Sequence, residues 1–576
     1  MTSHFGIRHS IDTSIEKTRQ VRDDTPMTAR QAKASEEALL RIFTIPEAPG
    51  STLSVIEQNI SQNLMGFLQE SVVAVEKPLT EIERDFQEHQ IPAAPKFVSD
   101  YADEMMKTLV AHSVHTSAPS FIGHMTSALP YFVLPLSKMM VGLNQNLVKI
   151  ETSKAFTPLE RQVLGMMHHL IYDESEAFYK SWMHSANVSL GAFCSGGTVA
   201  NITALWTARN QLLKADGDFK GIAAQGLMKG LRHYGYNDLA IMVSERGHYS
   251  LSKTADLLGI GRENIIQIPT TNDNRVDVDK MRITAKALER DNIKVMAIVG
   301  VAGTTETGNI DPLDKLATLA EELNCHFHVD AAWGGASLLS KKYRHLLKGI
   351  ERADSVTIDA HKQMYVPMGA GMVIFKDPTF ANAIKHHAEY ILRKGSKDLG
   401  SQTLEGSRPG MAMLVHACLQ IIGRDGYEIL INNSLEKARY FAELIKTTDN
   451  FELVSEPELC LLTYRYVPQA VQKAMQQARA DGDIERLLQF NRLLDGLTKF
   501  VQKRQREQGT SFVSRTRINP ENNHDLGVDL KSVVFRVVLA NPLTTDEILQ
   551  QVLVEQTQIA SQDKKFLPQL LELAAS

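Results

Sequence analysis

The sequence predicts an α/β protein in which a large domain, built on a mainly parallel sheet covered by helices, is followed by a small α+β domain. Three observations lead to that class. Between residues 116 and 376, helical stretches alternate with short Val- and Ile-rich runs at 240–243, 295–299, 327–329 and 373–375, the rhythm of βαβ units. After about Asp425 the rhythm changes to longer helices and separated strands. The chain has 576 residues, 43% hydrophobic and 22% charged, enough to bury more than one core and unlike a disordered or collagen-like composition.

In chain order, residues 1–50 are polar and end in the turn-prone Ile45-Pro46-Glu47-Ala48-Pro49-Gly50, so they read as an N-terminal arm. Residues 51–115 read as a helical segment: Ile56, Ile60, Leu64, Leu68 and Val72 recur every four positions, an apolar stripe that must dock on something. Residues 116–425 make the large domain. Residues 426–576 make the small one, with a helix, a strand at 461–466, one long helical run at 468–508, strands at 511–518 and 532–539, and a last helix from Thr545. No internal repeat or low-complexity tract interrupts this order.

Composition excludes several function classes. The 62 basic and 67 acidic side chains give a net charge of −5, and beyond Lys503-Arg504-Gln505-Arg506 there is no dense basic tract, so nucleic acid is not an expected partner. No run approaches the ~18 apolar residues of a membrane helix, so no membrane is expected either. Cys194, Cys325, Cys418 and Cys460 lack C-x-x-C spacing and read as reduced thiols. The first twenty residues carry Asp12 and Glu16 and no apolar h-region, the reading of a cytoplasmic protein.

Five segments carry chemistry. In Ser355-Val-Thr-Ile-Asp359-Ala-His361-Lys362 a β-branched strand ends in polar residues, placing Lys362 at a strand's carboxyl end, where α/β proteins keep ligands; the amine is a phosphate clamp, a surface charge or a Schiff-base former. Phe327-His328-Val329-Asp330-Ala331-Ala332-Trp333 is a second strand end. There Asp330 either holds the ring nitrogen of a pyridine cofactor protonated, with Ala332 letting a flat ring approach, or caps a helix. His326, His328 and Asp330 share one strand face, which keeps a metal site as an alternative. Ser195-Gly196-Gly197-Thr198 precedes a helical stretch at 202–213 and offers free N–H groups to a phosphate, or is only a turn. His248, in Gly247-His248-Tyr249-Ser250, either stacks on a planar ring or is a core histidine. Gly303-Thr304-Thr305 follows the run at 295–299. His168-His169 and His386-His387 read as neighbours on helix surfaces, poorly placed to share a metal.

Taken in order, Ser-Gly-Gly-Thr-x-x-Asn, Gly-His-x-Ser, Gly-Thr-Thr, His-Val-Asp-Ala-Ala-Trp and Asp-Ala-His-Lys resemble the pyridoxal-phosphate-dependent group II decarboxylases of fold type I, from about Leu53 onward. This is the family of glutamate, aromatic amino acid, cysteine sulfinate and diaminobutyrate decarboxylases. The resemblance implies a seven-stranded-type sheet, pyridoxal 5'-phosphate as cofactor, an amino acid substrate and a homodimer, with residues 51–115 serving dimerisation. It implies that Lys362 binds the cofactor covalently, that Asp330 pairs with the pyridine nitrogen, and that His248 and Ala332 flank the ring. It also implies that Ser195, Gly196, Gly197 and Thr198 hold the phosphate with Asp359 and His361, and that Thr304 adds a cofactor contact. Where the family usually has Asn-Pro, this chain has Asp359-Ala360.

Glu405-Gly-Ser-Arg408-Pro-Gly and Phe512-Val-Ser-Arg515-Thr-Arg517 are similar to the bacterial aspartate 1-decarboxylases, which implies conversion of L-aspartate to β-alanine and CO2. Glutamate, giving γ-aminobutyrate, is the alternative acidic substrate. His124, in Ala118-Pro119-Ser120-Phe121-Ile122-Gly123-His124, and Arg536 match substrate-side positions of the family. Tyr390, in a lid-like segment at 385–407, is the candidate proton donor, or an ordinary helix residue. Competing readings are an aminotransferase or aldolase, a silent cofactor-binding scaffold, and a metal hydrolase; the product separates them.

Overall fold

Alternation of apolar residues along short β-branched runs lets each strand feed two cores at once, one on each face of its sheet. The computed structural model describes residues 73–75, 77–387, 395–519 and 530–576, with isolated positions 58, 60–62 and 64. Two compact units result, one containing Lys77–Ser113 and the other Val114–Ser576. In the first, the helix Val98–Thr108 follows a short turn of helix at Leu79–Ile82, and Lys77 Nζ lies 3.2 Å from Asp85 Oδ2 and 3.2 Å from His112 Nε2.

The second unit holds a seven-stranded sheet made of β1 (Gly191–Cys194), β2 (Asp238–Ser244), β3 (Ile265–Ile268), β4 (Ile293–Val301), β5 (His326–Asp330), β6 (Ser355–Asp359) and β7 (Gly371–Phe375). Their order is β1-β7-β6-β5-β4-β2-β3. Strands β2 to β6 run parallel, and β7 is antiparallel to both β6 and β1. Two reversals restore the direction, so β1 ends on the same edge of the sheet as β2, β4, β5 and β6. That edge gathers all five segments that the sequence singles out.

Ten helices of the second unit matter to the site or its support: α1 (Val133–Leu143), α2 (Phe156–Tyr172), α3 (Gly197–Leu212), α4 (Ser250–Leu257), α5 (Val278–Arg290), α6 (Leu313–Glu322), α7 (Ala412–Thr447), α8 (Gln469–Ala480), α9 (Ile484–Gln508) and α10 (Asp546–Ser561). Met372 and Ile374 of β7 face the core that holds Val163, Leu164 and Met167 of α2. Val373 and Phe375, one residue out of phase, pack with Ala200 and Ala204 of α3 on the other face. Burying a large apolar side chain of this kind contributes about 1.5–3 kcal/mol relative to leaving it exposed. The small sheet, β10-β11-β9-β8, joins β8 (Phe451–Ser455), β9 (Leu461–Tyr466), β10 (Ser514–Ile518) and β11 (Ser532–Val538), antiparallel throughout. The segment before α1 is stitched to it: Ile122 N–H donates to Phe512 O at 3.0 Å, and Val538 N–H to Ile122 O at 2.7 Å.

Several expectations change. The run at 468–508 is two helices, α8 and α9, because Gly482 takes the left-handed region (φ 68°) and Asp483 caps α9 by accepting from Arg486 N–H at 3.0 Å. The helix expected at 202–213 starts earlier, at Gly197. Strand β10 starts at Ser514 rather than 511, since Phe512 is engaged with Ser120 and Ile122. Helix α7 crosses the expected boundary at 425, breaking at Gly423 (φ 69°). A helix at Phe566–Ala575 follows α10. His168 is buried, not on a surface: its ring stacks on Phe178, its Nδ1 lies 2.9 Å from Tyr179 Oη, and burial pushes its pKa down to about 4. His386 and His387 lie past the short helix Phe380–Ile384, where His386 N–H donates to Ser401 O. The arm at 1–50, most of the stripe at 54–75 and Tyr390 lie outside the described residues. Among the described residues no helix is long and apolar enough to cross a membrane.

Candidate active site

The five strand ends enclose a cavity of about 380 Å³. Its floor begins where β1 gives way to Ser195 and Gly196 and α3 starts at Gly197, so the unpaired N–H groups of a helix start face the cavity. Only glycine fits here. A Cβ on Gly197 would stand 2.8 Å from Asp359 Oδ2 and 3.2 Å from Ala332 Cβ, and one on Gly371 would stand 2.6 Å from the backbone of Gly196. Ser195 N–H donates to Glu405 Oε2 at 2.9 Å, a partner 210 positions away.

Lys362 follows β6 and turns its amine into the cavity, 3.0 Å from Asp359 Oδ2. Asp359 Oδ1 and His361 Nδ1 are buried with no hydrogen-bond partner among the described residues, groups available to a ligand. Burial holds the His361 imidazole below its ordinary pKa, Asp359 opposing and Lys362 reinforcing the shift. His248, after β2, also lines the cavity. Ser250 N–H points at its Nδ1 at 3.3 Å, and burial lowers its pKa, so the ring is neutral with its proton on Nε2. Asp330, at the end of β5, lines the opposite strand ends of the same cavity; its Oδ1 accepts from Ala332 N–H at 3.2 Å and its Oδ2 from Asn201 Nδ2 at 2.9 Å. The metal alternative fails on the same geometry: His326 and His328 both spend a ring nitrogen on Ser355 Oγ, at 2.7 and 2.8 Å, and no metal-binding cluster exists among the described residues.

An amine, a carboxylate, a neutral imidazole and a helix start now converge on one cavity. A family model, the pyridoxal-dependent decarboxylase conserved domain, matches residues 80–467. The chain belongs to the pyridoxal-dependent decarboxylase family. It is a carboxy-lyase, and its cofactor is pyridoxal phosphate. Among curated relatives of this decarboxylase, an aspartate 1-decarboxylase from Aliivibrio fischeri is 63% identical over 547 residues, covering 95% of this chain and 98% of that protein. A mouse cysteine sulfinic acid decarboxylase is 27% identical over 452 residues, 76% of this chain and 82% of that one. The fold is shared with the crystal structure of the glutamate decarboxylase domain of a Vibrio parahaemolyticus protein, at a TM-score of 0.74 and 21% identity over 92% of this chain and 100% of that one.

The residues fit pyridoxal phosphate. A helix start with Gly196 and Gly197 on the cavity wall suits a phosphate, Lys362 offers an amine for covalent attachment, and the buried Asp330 carboxylate is a partner for a ring N–H. Not every expected residue of the decarboxylase lines the cavity. Thr304 is fully buried and bonds Thr307 Oγ1 at 2.9 Å; its neighbours Gly303 and Thr305 line the wall instead. Arg536 stands one layer back: its Nε donates to Thr305 O at 2.6 Å, and its Nη1 lies 3.3 Å from both Gly123 O and Ser514 Oγ. Burial pushes its pKa down to about 10, still a cation at neutral pH. His124 is exposed beside the cavity-lining Met125, with Nδ1 3.1 Å from Thr126 Oγ1. Partial desolvation, then the positive charges of Arg536 and Lys362, lower its pKa.

Sequence patterns left two contributors without a role. Asn201 stood in a quoted motif, yet its partner Asp330 is 129 positions away. Glu405 gave no local signal for its contact with Ser195.

Proposed function

We propose that this decarboxylase acts on L-aspartate, removing the α-carboxyl group as CO2 and releasing β-alanine. The observation that carries the substrate is the 63% identity, over 95% of the chain, to a protein named aspartate 1-decarboxylase. Pyridoxal phosphate, when bound, supplies the electron sink for the pair left behind by the departing carboxyl group.

The chain's own residues do the rest. Lys362 Nζ would hold the cofactor covalently, and Asp359 Oδ2 at 3.0 Å orients that amine. Asp330 keeps one carboxylate edge aimed into the cavity, while Asn201 and the Ala332 N–H occupy its other lone pairs. His248 and Ala332 wall the ring. Ser195, Gly196, Gly197 and Thr198, with Asp359 and His361, form the phosphate end. Arg536, one layer behind the cavity wall, is the cation facing the substrate's side-chain carboxylate, with Nη2 the one nitrogen of its fork without a hydrogen-bond partner among the described residues, and His124 flanks that end. Tyr390 returns a proton to the α-carbon. Orientation of the α-carboxylate against the ring decides which bond breaks, so this anchoring of the far carboxylate serves reaction choice as well as affinity.

Homodimerisation is supported by α1 and the turn before it: Tyr131, Met139, Val141 and Leu143 are each at least half exposed and apolar or aromatic. Four domains, 1–50, 51–115, 116–425 and 426–576, remain the working division. The four cysteines, unpaired in this structure, support a cytoplasmic protein.

The test is competition. Cofactor-loaded protein is incubated with equimolar aspartate, glutamate, cysteine sulfinate, diaminobutyrate and tyrosine, and the amines are identified by mass. Dominant β-alanine is expected; dominant γ-aminobutyrate overturns the substrate and keeps the machinery. A methylene changes binding by only about 1–3 kcal/mol, so some γ-aminobutyrate is expected beside the main product.

A further inference from the structure

Behind Asp330 lies a row of buried polar side chains, of which the chemistry above uses only the first, Asn201. Asn201, on α3, donates through Nδ2 to Asp330 Oδ2 at 2.9 Å and to Ser250 Oγ at 3.0 Å. Because a carboxylate can only accept, this fixes the amide's orientation and leaves its Oδ1 to accept from His328 Nε2 at 3.1 Å. His328 therefore carries its proton on Nε2. Burial holds its pKa down to about 4, so it has no second proton, and its Nδ1 must accept, from Ser355 Oγ at 2.8 Å. The hydroxyl, having donated, accepts in turn from His326 Nε2 at 2.7 Å. His326 is itself held by stacking on Phe380, 5.0 Å between ring centres.

Every proton in this row points the same way. The direction runs from His326, whose Nδ1 lies 3.5 Å from Asp354 Oδ2 at the start of the row, through Ser355, His328 and Asn201, and ends on the Asp330 carboxylate. Hydrogen bonds to a charged group are the strong ones, and bonds in series polarise one another in a medium this dry. An apolar interior would hold the sheet together at lower desolvation cost, so the row is better explained by what stands at its end than by packing.

We propose that Asn201 and His328 are positioning residues, the last links of a one-way row of donors that aims the Asp330 carboxylate at the cofactor's ring nitrogen. This rests on the reading that Asp330 pairs with that nitrogen. The row consumes one of the carboxylate's oxygens from behind, fixes its rotation, and leaves it a pure acceptor toward the cavity. Asn201 and Ser250 are then in the two motifs for this reason, since Ser250 Oγ takes the second amide proton of Asn201.

The test uses protein loaded with cofactor labelled with ¹⁵N in the pyridine ring, read by the nitrogen's chemical shift, alongside steady-state kinetics on aspartate and cofactor affinity measured by absorbance titration. Asn201→Asp keeps the shape and turns the donor into an acceptor facing Asp330. His328→Leu removes the donor to Asn201, and His328→Gln restores an N–H at the same end of the side chain. Expected are a shift of the ring nitrogen toward its unprotonated value and a fall in kcat of about tenfold to a hundredfold for Asn201→Asp and His328→Leu, with KM within about threefold and with His328→Gln recovering most of both. Equal losses in the Leu and Gln variants, or an unmoved nitrogen signal in both Asn201→Asp and His328→Leu, overturn the proposal. Asp330→Asn separates the two levels: if it too leaves the nitrogen signal unmoved, the Asp330 reading itself falls; if it alone moves the signal, only the row falls. If Asn201→Asp does not fold, judged by melting of the cofactor-free chain, the Leu and Gln pair at 328 decides.

Discussion

Gly197→Ala probes the phosphate end with a single methyl group. Its Cβ would stand 2.8 Å from Asp359 Oδ2, about 0.6 Å inside the 3.4 Å of ordinary contact. Asp359 is buried, its side chain 3% exposed, and a retreat would cost its 3.0 Å contact with Lys362 Nζ. Overpacking of this size costs about 1–3 kcal/mol, equivalent to about five- to 150-fold in a binding constant. Alanine's helix preference over glycine opposes it by at most about 1 kcal/mol, and by less at a helix start. The cofactor-free chain can split the strain by letting Asp359 release Lys362, whereas the loaded site needs both in register. Titration of cofactor-depleted protein with pyridoxal phosphate, followed by the absorbance of the attached cofactor, is therefore expected to show about fivefold or more weaker binding, with the melting temperature of the cofactor-free chain little changed. An affinity within twofold of the parent would refute the argument, because it would mean that the Asp359 carboxylate can move aside without cost to the loaded site.

Two further predictions follow from the site and its surroundings. If Asp330 pairs with the ring nitrogen as proposed, Asp330→Ala should lower the decarboxylation rate by orders of magnitude with the cofactor still bound; turnover near that of the parent would remove Asp330 from the machinery. Val141→Glu, on the exposed apolar face of α1, should shift sedimentation from dimer to monomer at micromolar concentration, because a charge buried in an apolar contact without a partner is strongly unfavourable; an unchanged sedimentation profile would exclude that face from the interface.

The sequence by itself determined the class of fold and the place of the chemistry. Short Val- and Ile-rich runs marked β2, β4, β5 and β7, and in a parallel sheet whatever follows a strand lies at one edge. Short motifs after those runs therefore single out Lys362, Asp330, His248 and the glycines around 196, all of which line the one cavity. The break at Gly482 was legible too, in Asp481-Gly482-Asp483, but helical periodicity on both sides obscured it. What only the tertiary structure decided is which side chains meet. Thr304 turns away from the cavity while Thr305 faces it, and Arg536 spends three contacts on Thr305, Gly123 and Ser514 before any substrate arrives. Asn201 reaches Asp330, and His328 reaches Asn201, across 129 and 127 positions. The physical reason is range: periodicity and capping act within a turn or a strand, whereas a hydrogen bond between a helix and the strand it covers depends on sheet order, crossover length and register, which no local pattern encodes.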